Sequence, residues 1–138
     1  VKSRSTDKPI PVLVHSLEVA RELGELNSDA EKIAVSAWPG AVTIVVPRTE
    51  GSKSLELGGD GRTIALRVPD SGFTLRLLER AGPLAATSAN ISGQGTPETI
   101  GSIERLFGDQ VALYVDGGEL SGAPSEIVSF VGGRRKLR

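Results

Sequence analysis

Ser28-Asp29-Ala30-Glu31-Lys32-Ile33-Ala34-Val35-Ser36-Ala37 leads through Trp38-Pro39-Gly40-Ala41 into Val42-Thr43-Ile44-Val45-Val46. Two backbone periods meet in this stretch. Ser28 and Glu31 have the spacing of a capping box and open a helix over 29–37 that carries Ile33 and Val35. Trp-Pro-Gly ends it, since proline lacks an N–H and the residue before it avoids the α region. The β-branched run 42–46 then reads as a buried strand. A helix feeding a strand of this type is the signature of an α/β layered domain.

The same alternation extends outward in both directions. Ile10–Val14 reads as a short strand, and 16–24 as a helix ended by Gly24. After 46 the polar, Gly-rich span 48–61 reads as a loop or hairpin tip before a strand Thr63–Val68. Phe73–Leu78 reads as a helix closed by Gly82, and Leu84–Thr87 as a strand. A helix around Ile100–Phe107 is opened by Thr96-Pro97 and closed by Gly108. Val111–Val115 and Glu126–Val131 complete the set as strands, with a turn at Asp116-Gly117-Gly118. Several connections are too short for a crossover helix, so the expected sheet is mixed, parallel and antiparallel.

Composition narrows the function classes. The chain has 138 residues, 38% apolar and 24% charged, with no cysteine, no methionine and one histidine. One domain is the natural expectation at this length, with roughly 70% of the unfolded surface hidden on folding. Disulfides, thiolate metal sites and cysteine nucleophiles are excluded. The single His15 gives neither a histidine metal site nor a ready partner for a serine nucleophile. No apolar run reaches the ~20 residues of a membrane span, and no signal peptide is visible. These features agree with a cytoplasmic location.

The net charge of −1 conceals a pattern. Lys2, Arg4 and Lys8 at the front and Arg134, Arg135, Lys136 and Arg138 at the back hold seven of the 16 basic residues. Charge alone favours two solvated, frayed ends; the alternative is that both ends serve a polyanion.

Three places could carry chemistry. Thr87-Ser88-Ala89-Asn90-Ile91-Ser92-Gly93 packs hydroxyls and an amide after a short strand, where ligands of α/β sheets bind. Such groups hydrogen-bond carboxylate or phosphate oxygens, although they equally make ordinary turns and caps. Lys2-Ser3-Arg4 sets two cations on one side of an extended segment, suited to a polyphosphate. Arg67 lies in an otherwise apolar strand and needs a partner, either a structural carboxylate or a ligand carboxylate. No P-loop, GxGxxG, HExxH or Gly-x-Ser-x-Gly elbow is present.

Taken together and in order, Lys2-Ser3-Arg4, Asp7-Lys8-Pro9-Ile10-Pro11-Val12, Trp38-Pro39-Gly40-Ala41-Val42-Thr43, Arg67-Val68-Pro69-Asp70, Gly82 to Gly93 and Asp116-Gly117-Gly118 resemble the YrdC-like family. That family comprises the threonylcarbamoyl-AMP synthases of tRNA modification. The resemblance implies a twisted mixed α/β sheet flanked by helices, with a concave basic face. It implies a single domain over 1–138 that lacks the family's usual N-terminal segment and its Pro-Thr-Asp/Glu-Thr-x-Tyr-Gly-Leu motif.

The implied activity is nucleotidyl transfer. L-threonine, bicarbonate and ATP give L-threonylcarbamoyladenylate for N6-threonylcarbamoyladenosine at position 37 of tRNA. Carried over, Lys2, Arg4 and Lys8 hold ATP phosphates, and Thr63, Asn90 and Arg138 border the nucleotide. Arg67, Ser88 and Ser125 bind threonine, although Ser125-Glu126-Ile127-Val128-Ser129 departs from the family's Ser-Thr-Val-Val-Asp. No residue acts as a chemical catalyst; positioning and charge do the work, and Mg²⁺ travels with ATP. The implied partners are a threonylcarbamoyl transferase complex and RNA, with no membrane. The competing readings are a non-catalytic RNA-binding module of the same fold, and the carbamoyl-adenylate-forming domain of a hydrogenase-maturation carbamoyltransferase.

Overall fold

Caps and breakers written into the chain set the helices. In the computed structural model, which describes residues 9–91, 93–118 and 123–138, α1 spans Leu17–Leu23 and α2 spans Ser28–Ala37. Ser16 caps α1 by accepting from the Val19 N–H. Asn27, not Ser28, caps α2: its Oδ1 accepts from the Ala30 N–H at 2.9 Å, so Ser28 is the first helical residue. Both residue types suit the role, and the asparagine one step earlier took it. α3 spans Gly72–Ala81 and ends at Gly82, whose φ of +78° is the left-handed geometry that glycine supplies without a Cβ clash. α4 spans Ile100–Phe107 and is capped by Thr99 rather than opened at Thr96-Pro97.

Among the described residues six strands form one mixed sheet, flanked by helices as expected. They are β1 (Val12–Leu13), β2 (Val42–Pro47), β3 (Thr63–Arg67), β4 (Leu84–Ala85), β5 (Glu126–Ser129) and β6 (Arg135–Lys136). The order across the sheet is β4-β1-β3-β2-β5-β6. β2 pairs antiparallel with β3 through the 48–61 hairpin and parallel with β5. β1 runs parallel to β3, and among the described residues the two-residue strands β4 and β6 stand at the edges. Edge strands this short offer little template for unwanted pairing.

Two sequence expectations meet corrections here. Val111–Val115 has a strand's composition, yet the described residues there pair with no neighbour, and Leu113 is 76% exposed. β-propensity produces a strand only where a ladder partner exists. Conversely, part of the basic tail is not a frayed end: Arg135–Lys136 forms β6 against β5.

The chain forms two units. One lies within Thr87–Ala123; the other joins Thr6–Ala86 to Pro124–Arg138 and holds the sheet. In the sheet unit, period-two alternation sends Ile44 and Val46 of β2, Ile64 and Leu66 of β3, Val12 and Val128 to one face. There they pack with Ala20 and Leu23 of α1 and Ala30 and Ala34 of α2. Full burial of each Val, Leu or Ile side chain contributes about 1.5–3 kcal/mol. Gly24 lets the chain leave α1 close to this face: a Cβ on it would sit 2.6 Å from Val46 Cγ2 and 2.8 Å from Leu66 Cδ1. Among the described residues no helix is long and apolar enough to cross a membrane.

Candidate functional site

The other sheet face carries the polar residues. Alternation puts Thr63, Ala65 and Arg67 of β3 on it, together with Thr43 and Val45 of β2 and Ile127 and Ser129 of β5. The antiparallel β2–β3 register, Ile44 opposite Leu66 and Val45 opposite Ala65, extends by one step to set Thr43 opposite Arg67. The parallel β2–β5 register, Val42 beside Glu126, extends by one step to set Ala41 beside Ser125. Arg67, Thr43 and Ser125 therefore stand at one end of the sheet on three adjacent strands.

Each of these side chains is held. Arg67 is half-buried, and its Nε donates to the Gly40 carbonyl at 2.7 Å. Partial desolvation pulls its guanidinium below the ordinary arginine value. Among the described residues no carboxylate lies within ion-pair distance of it, which removes a structural carboxylate as its partner there. Thr43 Oγ1 and Ser125 Oγ are 3.0 Å apart. Arg138, just beyond β6, donates from Nε to the Ser125 carbonyl at 3.1 Å, which brings a second guanidinium to this end.

Thr63 is placed differently. It opens β3 opposite Pro47, on the face of Arg67 but four residues away. At ~3.3 Å per residue that is roughly 13 Å along the strand. Thr63 and Arg138 thus stand at opposite ends of the sheet. Two residues the sequence argument did not nominate are at the Arg67 end: Thr43, and His15, two positions beyond β1. Thr43 carries no sequence signal by itself, because a lone threonine in a β-branched strand is ordinary.

The second unit contains the hydroxyl-and-amide loop. Ser88 Oγ donates to Asn90 Oδ1 at 2.6 Å, and Asn90 Nδ2 donates to the Gln94 carbonyl. Ser88 and Asn90 are thus locked to each other, with the amide orientation set by a donor on one side and an acceptor on the other. This loop borders a cleft of about 330 Å³ whose other wall is apolar, with Ile103 and Phe107 of α4 and Leu113 beyond it. Lys2, Arg4 and Lys8 lie outside the described residues. Among the described residues no group of three or more His, Asp or Glu side chains could hold a metal ion.

Comparison with known proteins places this architecture. The Sua5/YciO/YrdC family model, described as telomere recombination, matches residues 1–138. A threonylcarbamoyl-AMP synthase of Pyrococcus abyssi is 35% identical over 120 residues, 86% of this chain and 35% of that protein. A threonylcarbamoyl-AMP synthase of Marinobacter nauticus is 32% identical over 139 residues, covering 98% of this chain and 73% of that protein. The crystal structure of P. abyssi Sua5 complexed with L-threonine superposes with a TM-score of 0.85 at 30% identity, over 99% of this chain and 41% of that one. The chain therefore spans between about a third and three quarters of these relatives. With a family match along its whole length and relatives above 30% identity, the chain belongs to the Sua5/YciO/YrdC family.

Proposed function

We propose that this chain carries out ATP-dependent synthesis of L-threonylcarbamoyladenylate from L-threonine, bicarbonate and ATP, as a nucleotidyltransferase. The observation that carries the reading is Arg67: a half-buried guanidinium with one backbone partner and no carboxylate among the described residues. Such a group suits the carboxylate of an amino acid, because arginine offers a second edge of its planar fork. Family membership with relatives named threonylcarbamoyl-AMP synthase supports the choice of amino acid and reaction.

In this reading Arg67, Ser88 and Ser125 hold threonine. Thr63, Asn90 and Arg138 border the nucleotide, and Lys2, Arg4 and Lys8 take its phosphates. The threonine ammonium and bicarbonate condense to a carbamate, releasing one water and one proton. A carbamate oxygen attacks the α-phosphorus of MgATP; the new P–O bond forms as the bond to pyrophosphate breaks. The protein supplies orientation and positive charge where the leaving group gathers negative charge, with no side chain acting as nucleophile or base. The product then passes, in the cytoplasm, to a threonylcarbamoyl transferase complex that modifies tRNA, and the chain contacts RNA through its basic residues.

The test is pyrophosphate release from ATP in the presence of bicarbonate, with and without threonine. Threonine-dependent release is expected, and Arg67→Ala raises the threonine KM at least about tenfold while leaving the ATP KM unchanged, as loss of a charged hydrogen-bond partner demands. Release that ignores threonine, or an R67A variant with an unchanged threonine KM, overturns the reading.

A further inference from the structure

Thr43 is the one hydroxyl residue in β2, whose sequence is otherwise Val-x-Ile-Val-Val-Pro. It is 2% exposed. A valine fills the same volume, and β2 already uses three of them, so packing gives no reason for a hydroxyl at this position. The hydrogen bond does. Thr43 Oγ1 meets Ser125 Oγ at 3.0 Å, across 82 positions of sequence. We infer that Thr43 is a positioning residue for the amino-acid subsite: its buried hydroxyl holds Ser125 Oγ in one orientation beside the Arg67 end of the sheet.

The physical basis is rotamer selection. Threonine is branched at Cβ and stiff about χ1, so its hydroxyl direction is set by the strand backbone. Serine is unbranched and, without a partner, samples three staggered wells. The bond to Thr43 picks one of them. A hydroxyl has one donor and two acceptor sites, so Ser125 keeps capacity for a ligand after pairing with Thr43. β3 and β5 flank β2, and neighbouring strands are ~4.8 Å apart, so the backbones bearing Arg67 and Ser125 are separated by roughly 10 Å. That gap admits a small amino acid between an arginine fork and a serine hydroxyl. Thr43 itself, buried beneath, contacts no ligand.

This inference rests on the functional reading above. The test is a double-mutant cycle of Thr43→Val and Ser125→Ala, with Thr43→Ser as the conservative variant. The readouts are threonine KM, ATP KM, thermal midpoint, and direct threonine binding followed by the emission of Trp38, the single tryptophan. T43V is expected to raise the threonine KM by up to about threefold, since up to three rotamers replace one. ATP KM stays unchanged, T43S, which keeps the hydroxyl but loses the Cβ branch, falls between wild type and T43V, and T43V adds nothing in the S125A background. An unchanged threonine KM in T43V, an equal rise in ATP KM, or a full T43V effect in the S125A background each overturns the role of Thr43. A wild-type protein that neither binds threonine nor turns it over overturns the functional reading itself, and S125A behaving as wild type removes Ser125 and Thr43 from the subsite together.

Discussion

Arg67 Nε donates to the carbonyl of Gly40 at 2.7 Å, joining the end of β3 to the turn that precedes β2. The Gly40 N–H returns a bond from the same turn, to the Val68 carbonyl at 2.9 Å. Trp38 Nε1 donates to the Val42 carbonyl at 2.6 Å and ties the turn down from the other side. The guanidinium is thereby aimed by backbone rather than by an acidic side chain, which leaves its charge unneutralised by any described residue.

Gly40→Ala follows from this geometry. A Cβ at position 40 would lie 2.2 Å from the Ala37 carbonyl oxygen, so the turn must shift. The cost is about 1–3 kcal/mol in urea denaturation, the range for an added group that cannot be accommodated in place. Because the Gly40 carbonyl moves with it, the proposed function predicts that the threonine KM rises as well, whereas the ATP KM holds.

Arg48 is a separate case of a buried cation with no carboxylate partner among the described residues. It is 9% exposed, and its guanidinium donates to the Ser52 carbonyl, to the Leu55 carbonyl at 2.8 Å and to Ser52 Oγ at 3.4 Å. It pins the loop between β2 and β3 from inside. Arg48→Met keeps much of the aliphatic stem and strands these acceptors, so unfolding free energy falls by about 2–4 kcal/mol, measured by urea titration.

Asn90→Asp tests the loop of the smaller unit. Asn90 needs an acceptor toward Ser88 and a donor toward the Gln94 carbonyl, and aspartate has only acceptors. The variant sets a carboxylate oxygen against a carbonyl oxygen. If Asn90 borders the nucleotide as proposed, the ATP KM rises at least about tenfold, while stability changes by less than about 0.5 kcal/mol because the loop is at the surface.

Asp60 makes stability respond to acid. Its carboxylate accepts from the Arg62 N–H at 2.9 Å and from Arg62 Nε at 3.2 Å, and the first of these does most to lower its pKa from 3.8. A lowered folded value means that the stabilisation is complete above the unfolded value and lost as pH falls through the folded one. Asp60→Asn is therefore less stable than wild type near neutrality, and the two converge as pH falls through the lowered folded value. Equilibrium unfolding near neutrality and in acid checks this.

Much of the fold was legible because its signals are local. Ser16, Gly24 and Gly82 mark helix ends by their own side chains, or the lack of one. The runs at 42–47 and 63–67 mark strands by branching at Cβ. Val111–Val115 misled for the same reason: its composition spells a strand, but pairing is decided by a partner elsewhere in the chain. Arg135–Lys136 misled in the opposite sense, since a charged tail paired with β5 once its neighbour was in place. Arg67 stood out in the sequence as a charge in an apolar strand. Thr43 did not, because its meaning lies in Ser125, 82 positions away.

By itself the amino-acid order determined which segments coil, which extend and where each stops, and it supplied the residue types that can grip a carboxylate or a phosphate. These are properties of a few neighbouring residues and their side-chain shapes. Only the tertiary structure decided that β2 lies between β3 and β5, and hence that Gly40, Thr43, Arg67 and Ser125 gather at one end of the sheet while Thr63 falls at the other. Strand order and register come from burying one face of every strand in a shared core, a global requirement that no local stretch encodes.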